Sequence, residues 1–222
     1  MTEIRPSLSL KTERTRLRRA HTKGTYDRDS LYALLDSVPL CHVGYVDDGM
    51  PVVTPTLQWR EGDRIYWHGS SKSRAILRAA DQPVCLTVTR LDGLVLARSG
   101  FEHSVNHASA MLFGTPHLVS DPKDKERHLK AMFDHIYPSR WEQLRPMTDL
   151  ELRATAVIGM DIAEASVKTR TGPSDEPDED RAWPIWAGTL PISWQTAHAE
   201  ADADNLAPLP EVLSDYQFGR SK

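Results

Sequence analysis

The chain has only two cysteines in 222 residues, Cys41 and Cys85. Two thiols cannot build a disulfide framework or a four-cysteine metal site. Each lies in an apolar, strand-like run, where a thiol acts as a small core residue. No apolar run is long enough to span a bilayer, and the first residues are polar and basic rather than the apolar core of a signal peptide. A reduced, cytoplasmic protein without a membrane partner is expected. Charge of one sign is not in excess either. With 27 Lys and Arg against 31 Asp and Glu, the net charge is −4, and no global electrostatic case for nucleic acid arises. Alternating strand–helix units are missing, which disfavours a Rossmann fold. What is present is 40% hydrophobic and 26% charged residues, enough to bury a core in one domain with extensions.

Taken in order, residues 1–25 form a basic N-terminal arm with Arg14, Arg16, Arg18 and Arg19. It has no interleaved aromatics, so it reads as a solvated arm, or one folded over a partner subunit, rather than a nucleic-acid contact. Asp27 or Asp29 caps a helix whose Leu31, Leu34, Leu35 and Val38 fall on one face. Strands are predicted at 40–46 and 50–59, joined by an Asp47-Asp48-Gly49 turn. Pro51 and Pro55 cannot donate to a ladder, so the second strand is an edge or is interrupted. Further strands are predicted at 64–68, 84–89, 94–97, 108–113 and 117–119, and a last long one at 156–167. Asp121-Pro122 opens a helix with Leu129, Met132, Phe133 and Ile136 on its apolar face. Thr148 and Glu151 have capping-box spacing before a short helix. Residues 173–180 are an acidic, proline-containing loop, and residues 196–222 a polar C-terminal tail. Six or so strands at short spacing with Gly-bearing turns predict a mainly β domain over 26–195. Its form is an antiparallel barrel with peripheral helices.

The chain is organised around residues 63–80, DRIYWHGSSKSRAILRAA. A β-forming run enters a Gly/Ser turn containing Lys72 and leaves as a helix. That is the outline of an anion site: free N–H groups and the positive end of the helix dipole face the ligand, and hydroxyls add donors. Lys72 and Arg74 bring charge, and Arg can grip a phosphate with two prongs. The plainer reading is a strand-to-helix turn in which Ser70 or Ser73 only caps the helix. A Walker loop is excluded, because Ser71 precedes Lys72-Ser73 and Tyr66 stands where its first glycine belongs. His68 lies beside the turn, and its ordinary pKa near neutrality suits proton transfer or a hydrogen bond to a ring.

A second polar stretch, SGFEHSVNHAS at 99–109, holds His103 and His107 four residues apart. On a helix the two would share a face and could bind a metal, but no third ligand is near, and no metal is expected. Two other readings stay open: a polar loop whose Ser104 and Asn106 bond their own backbone, and a second donor set for a phosphate or heterocycle. Thr54 and Pro55 can set backbone groups and a hydroxyl against a ligand. Trp183, Trp186 and Trp194 could wall a flat cofactor or serve packing.

Together these pieces resemble a known family. The residues that carry the likeness are Thr54-Pro55-Thr56, IYWHGSSKSR, PVCLTVTRLDGLVLARSGFEHSVNHASAMLFG, ELRATAV, the run from Lys168 to Pro173, and WPIWAGTLPI. The chain resembles the flavin-nucleotide-binding and nitroimidazole-reductase branch of the pyridoxamine 5′-phosphate oxidase-like split-barrel family, over residues 14–195. The resemblance implies a six-stranded split β-barrel and a homodimer with FMN at its interface. It implies a ring wall of Thr54, Pro55, Tyr66, Trp67 and His68, with Gly69, Ser70, Lys72, Ser73 and Arg74 at the phosphate. Ser104, Asn106, His107 and Trp186 would approach the site, the loop residues from the other subunit. His68 matches the histidine placed near substrate in the nitroimidazole reductases. The implied activity is hydride transfer from NAD(P)H through FMN to a small electrophile such as a nitro compound. Haem or F420 binding, or a non-catalytic carrier or sensor, are the alternatives that other branches of the fold supply. The phosphate signature and the C-terminal motif of true pyridoxamine phosphate oxidases are absent, which speaks against vitamin B6 oxidation.

Overall fold

The computed structural model describes residues 9–18, 23–214 and 216–218. Arg19 and the first eight residues of the basic arm lie outside them. Among the described residues ten strand segments occur: β1 (Gly24–Thr25), β2 (Leu40–Asp47), β3 (Met50–Glu61), β4 (Arg64–Ser70), β5 (Val84–Leu96), β6 (Ser104–Gly114), β7 (His117–Leu118), β8 (Thr155–Asp161), β9 (Glu164–Arg170) and β10 (Gly188–Pro191). The helices are α1 (Arg28–Ser37), α2 (Arg74–Ala79), α3 (Pro122–Ile136) and α4 (Asp149–Ala154). Every strand pair is antiparallel, in the order β1-β9-β6-β5-β2-β3-β4-β8-β7, with β10 added to β5. The mainly β class and the split barrel with peripheral helices are therefore correct. The expected six strands become seven of at least seven residues plus three short pieces.

Local rules explain most elements. Asp27 caps α1, accepting a hydrogen bond from the Ser30 amide at 2.8 Å. Asp48 and Gly49 both have positive φ and form a two-residue hairpin loop between Asp47 and Met50, as a type I′ turn requires. Thr148 and Glu151 complete the capping box of α4. In β2 the residues Cys41, Val43, Tyr45 and Asp47 are buried in strict alternation, so one face of the strand meets the core.

Two expected elements change. Residues 156–167 are not one strand but β8 and β9, bent at Ile162 and Ala163. No glycine or proline marks the corner. Ile162 instead turns inward, 3% exposed, and its amide bonds the Asp63 carbonyl at 2.8 Å. Consecutive in sequence yet near opposite ends of the sheet, β8 and β9 curl the sheet onto itself. The strands expected at 84–89 and 94–97 are one: β5 runs through residues 90–93 with a bulge between Leu91 and Gly93.

The barrel interior holds Ile65, Trp67, Leu86, Val88, Leu112, Ile158 and Val167. A second cluster lies outside, where Leu129, Met132 and Ile136 of α3 cover Trp59, Tyr66 and Val157 on β3, β4 and β8.

Candidate functional site

The site begins with a mismatch of strand lengths. β3 pairs with β2 from Met50 to Leu57, but with β4 only from Gln58 to Glu61. Among the described residues no strand lies against the other edge of β3 between Met50 and Leu57. This is the edge that Pro51 and Pro55 foretold. Its peptide groups are open to a ligand, because a backbone donor or acceptor without a strand partner needs another one. β4 leaves β3 after Trp67, ends at Ser70 and leads through Ser71–Ser73 into α2. A Cβ on Gly69 would sit 3.0 Å from Ile76 Cγ1, so a glycine lets α2 close down on the turn.

The turn keeps its polar groups available. The Lys72 amide donates to Ser70 Oγ at 3.2 Å, and the Ser73 amide to the Ser70 carbonyl at 2.9 Å. Ser73 occupies the cap position of α2, yet its hydroxyl makes no cap bond. Lys72 is exposed and forms no ion pair among the described residues. Arg74 is different. Its guanidinium lies 2.8 Å from Asp47, a buried carboxylate that Arg78 also meets at 2.9 Å. Part of the charge expected from Arg74 is therefore spent on Asp47.

The expected ring wall separates by face, since side chains alternate along a strand. Pro55 stands opposite His42 on the outer face, and Thr54 opposite the core residue Val43. Trp67 is buried inside the barrel, on the face away from the slot. Tyr66 is 4% exposed beneath α3, its ring 5.8 Å from Trp59 and 4.2 Å from His128. Of the three aromatic-run residues, only His68 keeps a half-open side chain on the outer face. Its ring lies 6.1 Å from Trp59, and its Nδ1 is buried without a hydrogen-bond partner. An orphaned buried nitrogen at the mouth of a slot is a place for a ligand group.

Burial holds His68 below the ordinary imidazole range, and His135 on α3 likewise, with desolvation the leading cause in both. A base whose folded pKa is depressed binds fewer protons folded than unfolded in the interval between the two values. Stability is then full above the unfolded value near 6.5 and declines as pH falls below it. The denaturation midpoint should drop on acidification from about pH 6.5. His68→Gln should flatten that drop, and an unchanged profile in this variant would show that His68 is not held neutral by burial.

Residues 104–107 are not a loop. They open β6, whose register with β5 sets Ser104 opposite Val95 and His107 opposite Leu91. The strand begins four residues before the apolar pattern does, because Asn106 satisfies its polar side chain within the fold. Its amide donates to the Gly172 carbonyl at 3.1 Å, and its oxygen accepts from Arg170 at 2.6 Å. His107 Nδ1 is 3.3 Å from the Val105 carbonyl. His103 Nδ1 contacts the Ser99 carbonyl at 2.8 Å. With His107 on this strand and His103 just before it, the two do not form the helical pair considered for a metal. Trp186 is 64% exposed and lies against Gly188. β5 and β2 intervene between β6 and β3, about 14 Å at ordinary strand spacing. One chain thus assembles His68, the turn and the β3 edge, but not Ser104, Asn106, His107 or Trp186.

Sequence reasoning passed over the support beneath His68. Glu61 Oε1 accepts from Trp59 Nε1 at 2.9 Å and pairs with His128 Nδ1 at 2.7 Å. Glu61 and His128 lie 67 residues apart, and no local signal joins them.

A family model described as pyridoxamine 5′-phosphate oxidase matches residues 27–169. The flavocytochrome Anf3 from Azotobacter vinelandii is 45% identical over 93% of this chain and 98% of its own, with a TM-score of 0.90. The FAD and heme binding protein from Mycobacterium smegmatis is 36% identical over 90% of this chain and all of its own, with a TM-score of 0.85. A proposed 5-nitroimidazole antibiotic resistance protein from Bacteroides thetaiotaomicron shares the fold at 22% identity, over 65% of this chain and 85% of its own, with a TM-score of 0.55. No curated protein sequence matches the chain.

Proposed function

The chain belongs to the pyridoxamine 5′-phosphate oxidase-like split-barrel family, and from that premise we propose that it is a flavoprotein that binds its flavin in the slot along β3. The observation that carries this reading is the open edge of β3, from which β4 departs on its way to the Gly69–Arg74 turn. Lys72 and the free hydroxyl of Ser73 meet the flavin phosphate there, with Ser70 beside them and Arg74 in support through Asp47. Peptide groups around Thr54 and Pro55 read the polar edge of the ring, and the neutral His68 faces the ring or a substrate. FMN and FAD share the phosphate that this turn would hold. The family resemblance favours FMN, whereas the 36% identical relative is named for FAD.

The flavin supplies the redox chemistry, and the protein supplies position and electrostatics. We assign the chain to oxidoreductases that move hydride from NAD(P)H to a small electrophile such as a nitro compound. In a homodimer the second copy would bring Ser104, His107 and Trp186 to the slot, which one chain leaves apart from the turn.

A second reading has its own support. The two relatives that span nine-tenths of this chain are named as a flavocytochrome and as a FAD and heme binding protein. On this reading the chain carries haem beside the flavin and serves electron transfer or sensing.

The absorption spectrum of the purified protein tests both. A flavin band pair is expected, and a Soret band accompanies it on the second reading. A colourless protein that stays colourless with added FMN or FAD sinks the flavoprotein reading. Oxidation of NAD(P)H dependent on a nitroaromatic then separates an enzyme from a carrier.

A further inference from the structure

The carboxylate beneath α2 is buried where a charge is expensive. Asp47 ends β2 on the face that Cys41, Val43 and Tyr45 turn to the core, and its side chain is 4% exposed. A charge in such a place costs stability unless it is paired. Both partners come from α2: Arg74 Nη2 lies 2.8 Å from Oδ2, and Arg78 Nε lies 2.9 Å from Oδ1. Arg74 and Arg78 are four residues apart, so they share one face of the helix. Oδ1 nevertheless makes no hydrogen bond, because the Arg78 N–H does not line up with it. Charge, more than direction, fastens α2 to the β2–β3 hairpin.

The start of α2 has few other anchors. The helix has six residues, of which Ile76 and Ala79 are buried. The Ser73 hydroxyl makes no cap bond. The Ser71 amide donates to the Ala154 carbonyl at 2.7 Å, which fixes the turn before Lys72. Gln82 donates to the Val46 carbonyl at 3.0 Å, which fixes the chain after the helix. Between those two points, Asp47 holds Arg74, the residue directly after Ser73.

We infer that Asp47 is a positioning residue for the flavin phosphate and that it sets the preference for a phosphorylated flavin over riboflavin. This rests on the flavoprotein reading above. Asp47 does not touch the ligand. By fixing the first helical residue it keeps the Lys72 ammonium and the Ser73 hydroxyl in place for the phosphate. The sign of its effect separates this role from plain repulsion. A carboxylate near a phosphate repels it, so on charge alone the loss of Asp47 would tighten binding. Two guanidiniums already offset that charge, and the loss of position outweighs the relief of repulsion.

FMN and riboflavin differ only in the phosphate, so titrating the apoprotein of the full chain with each isolates the effect. The wild type should bind FMN at least tenfold more tightly than riboflavin. Asp47→Asn keeps the shape and an acceptor but removes the charge. It should cut the FMN preference fivefold or more and leave riboflavin affinity as in the wild type. Arg78→Gln removes one of the two ion pairs from a residue that is not placed at the phosphate. It should move the preference the same way by less, and it decides the matter if Asp47→Asn does not fold. A preference that is unchanged or raised, or an equal weakening of both flavins, overturns the positioning role alone. A wild type that binds no flavin, or binds riboflavin as tightly as FMN, overturns the phosphate placement and the positioning role together.

Discussion

Trp59→Ala should lower the free energy of unfolding by about 3–5 kcal/mol, the range for removing a large aromatic from a packed core. Trp59 is fully buried where α3 covers the barrel, stacked on Tyr66 at an interplanar angle of 19°. Nothing nearby can refill the space, since Leu129, Met132 and Ile136 are fixed on a helix that also packs on Tyr66 and Val157. The truncation also removes one donor from Glu61, which keeps His128. Denaturant unfolding would show a lower midpoint with an unchanged slope. The same variant should affect the site, because Trp59 is the aromatic neighbour of His68. With that burial relieved, the imidazole pKa should move back up towards its ordinary value, which proton NMR can follow. A loss below about 1 kcal/mol would mean that the α3 layer is not part of the cooperative core.

Lys72→Ala combined with Arg74→Ala should weaken flavin binding by a few kcal/mol, because hydrogen bonds to charged groups contribute roughly 1.5–3 kcal/mol each. Every 1.4 kcal/mol or so is tenfold in affinity. The two residues should not contribute equally. Lys72 makes no ion pair among the described residues, so its whole charge is free for a phosphate, and Lys72→Ala alone should account for most of the loss. Arg74 is paired with Asp47, so its removal should cost less affinity. It should cost some stability, however, because the buried Asp47 would keep only Arg78. Titration of the apoprotein with FMN and with FAD, followed by flavin fluorescence, measures both effects. Unchanged affinity in the double variant would remove the turn from the site.

Much of this fold is written in local signals. The cap at Asp27, the hairpin at Asp48-Gly49, the Asp121-Pro122 helix start and the capping box at Thr148 each involve a few neighbouring residues, and each forms as local chemistry dictates. The split at β3 was legible through Pro51 and Pro55, which cannot donate to a ladder and so suit a strand with one open edge. The turn with Lys72 was legible because a Gly/Ser run between a β-forming stretch and a helix-forming one marks a strand-to-helix turn.

Other features were hidden because their causes lie far apart in the chain. The start of β6 was hidden because Asn106 is a polar residue satisfied by Arg170 and Gly172, more than sixty positions away. The corner between β8 and β9 was hidden because Ile162 has no turn chemistry, and only its burial and its bond to Asp63 hold it.

The sequence alone thus determined most of the elements, the mainly β class and the strand–turn–helix at Lys72, since these depend on contacts within a turn of helix or a pair of strands. Tertiary structure decided the rest. It put Trp67 inside the barrel and His68 outside, and committed Arg74 to Asp47. Those outcomes depend on which strands meet and which face each turns to its neighbour. Strand pairing over long separations sets both, and no local pattern encodes it.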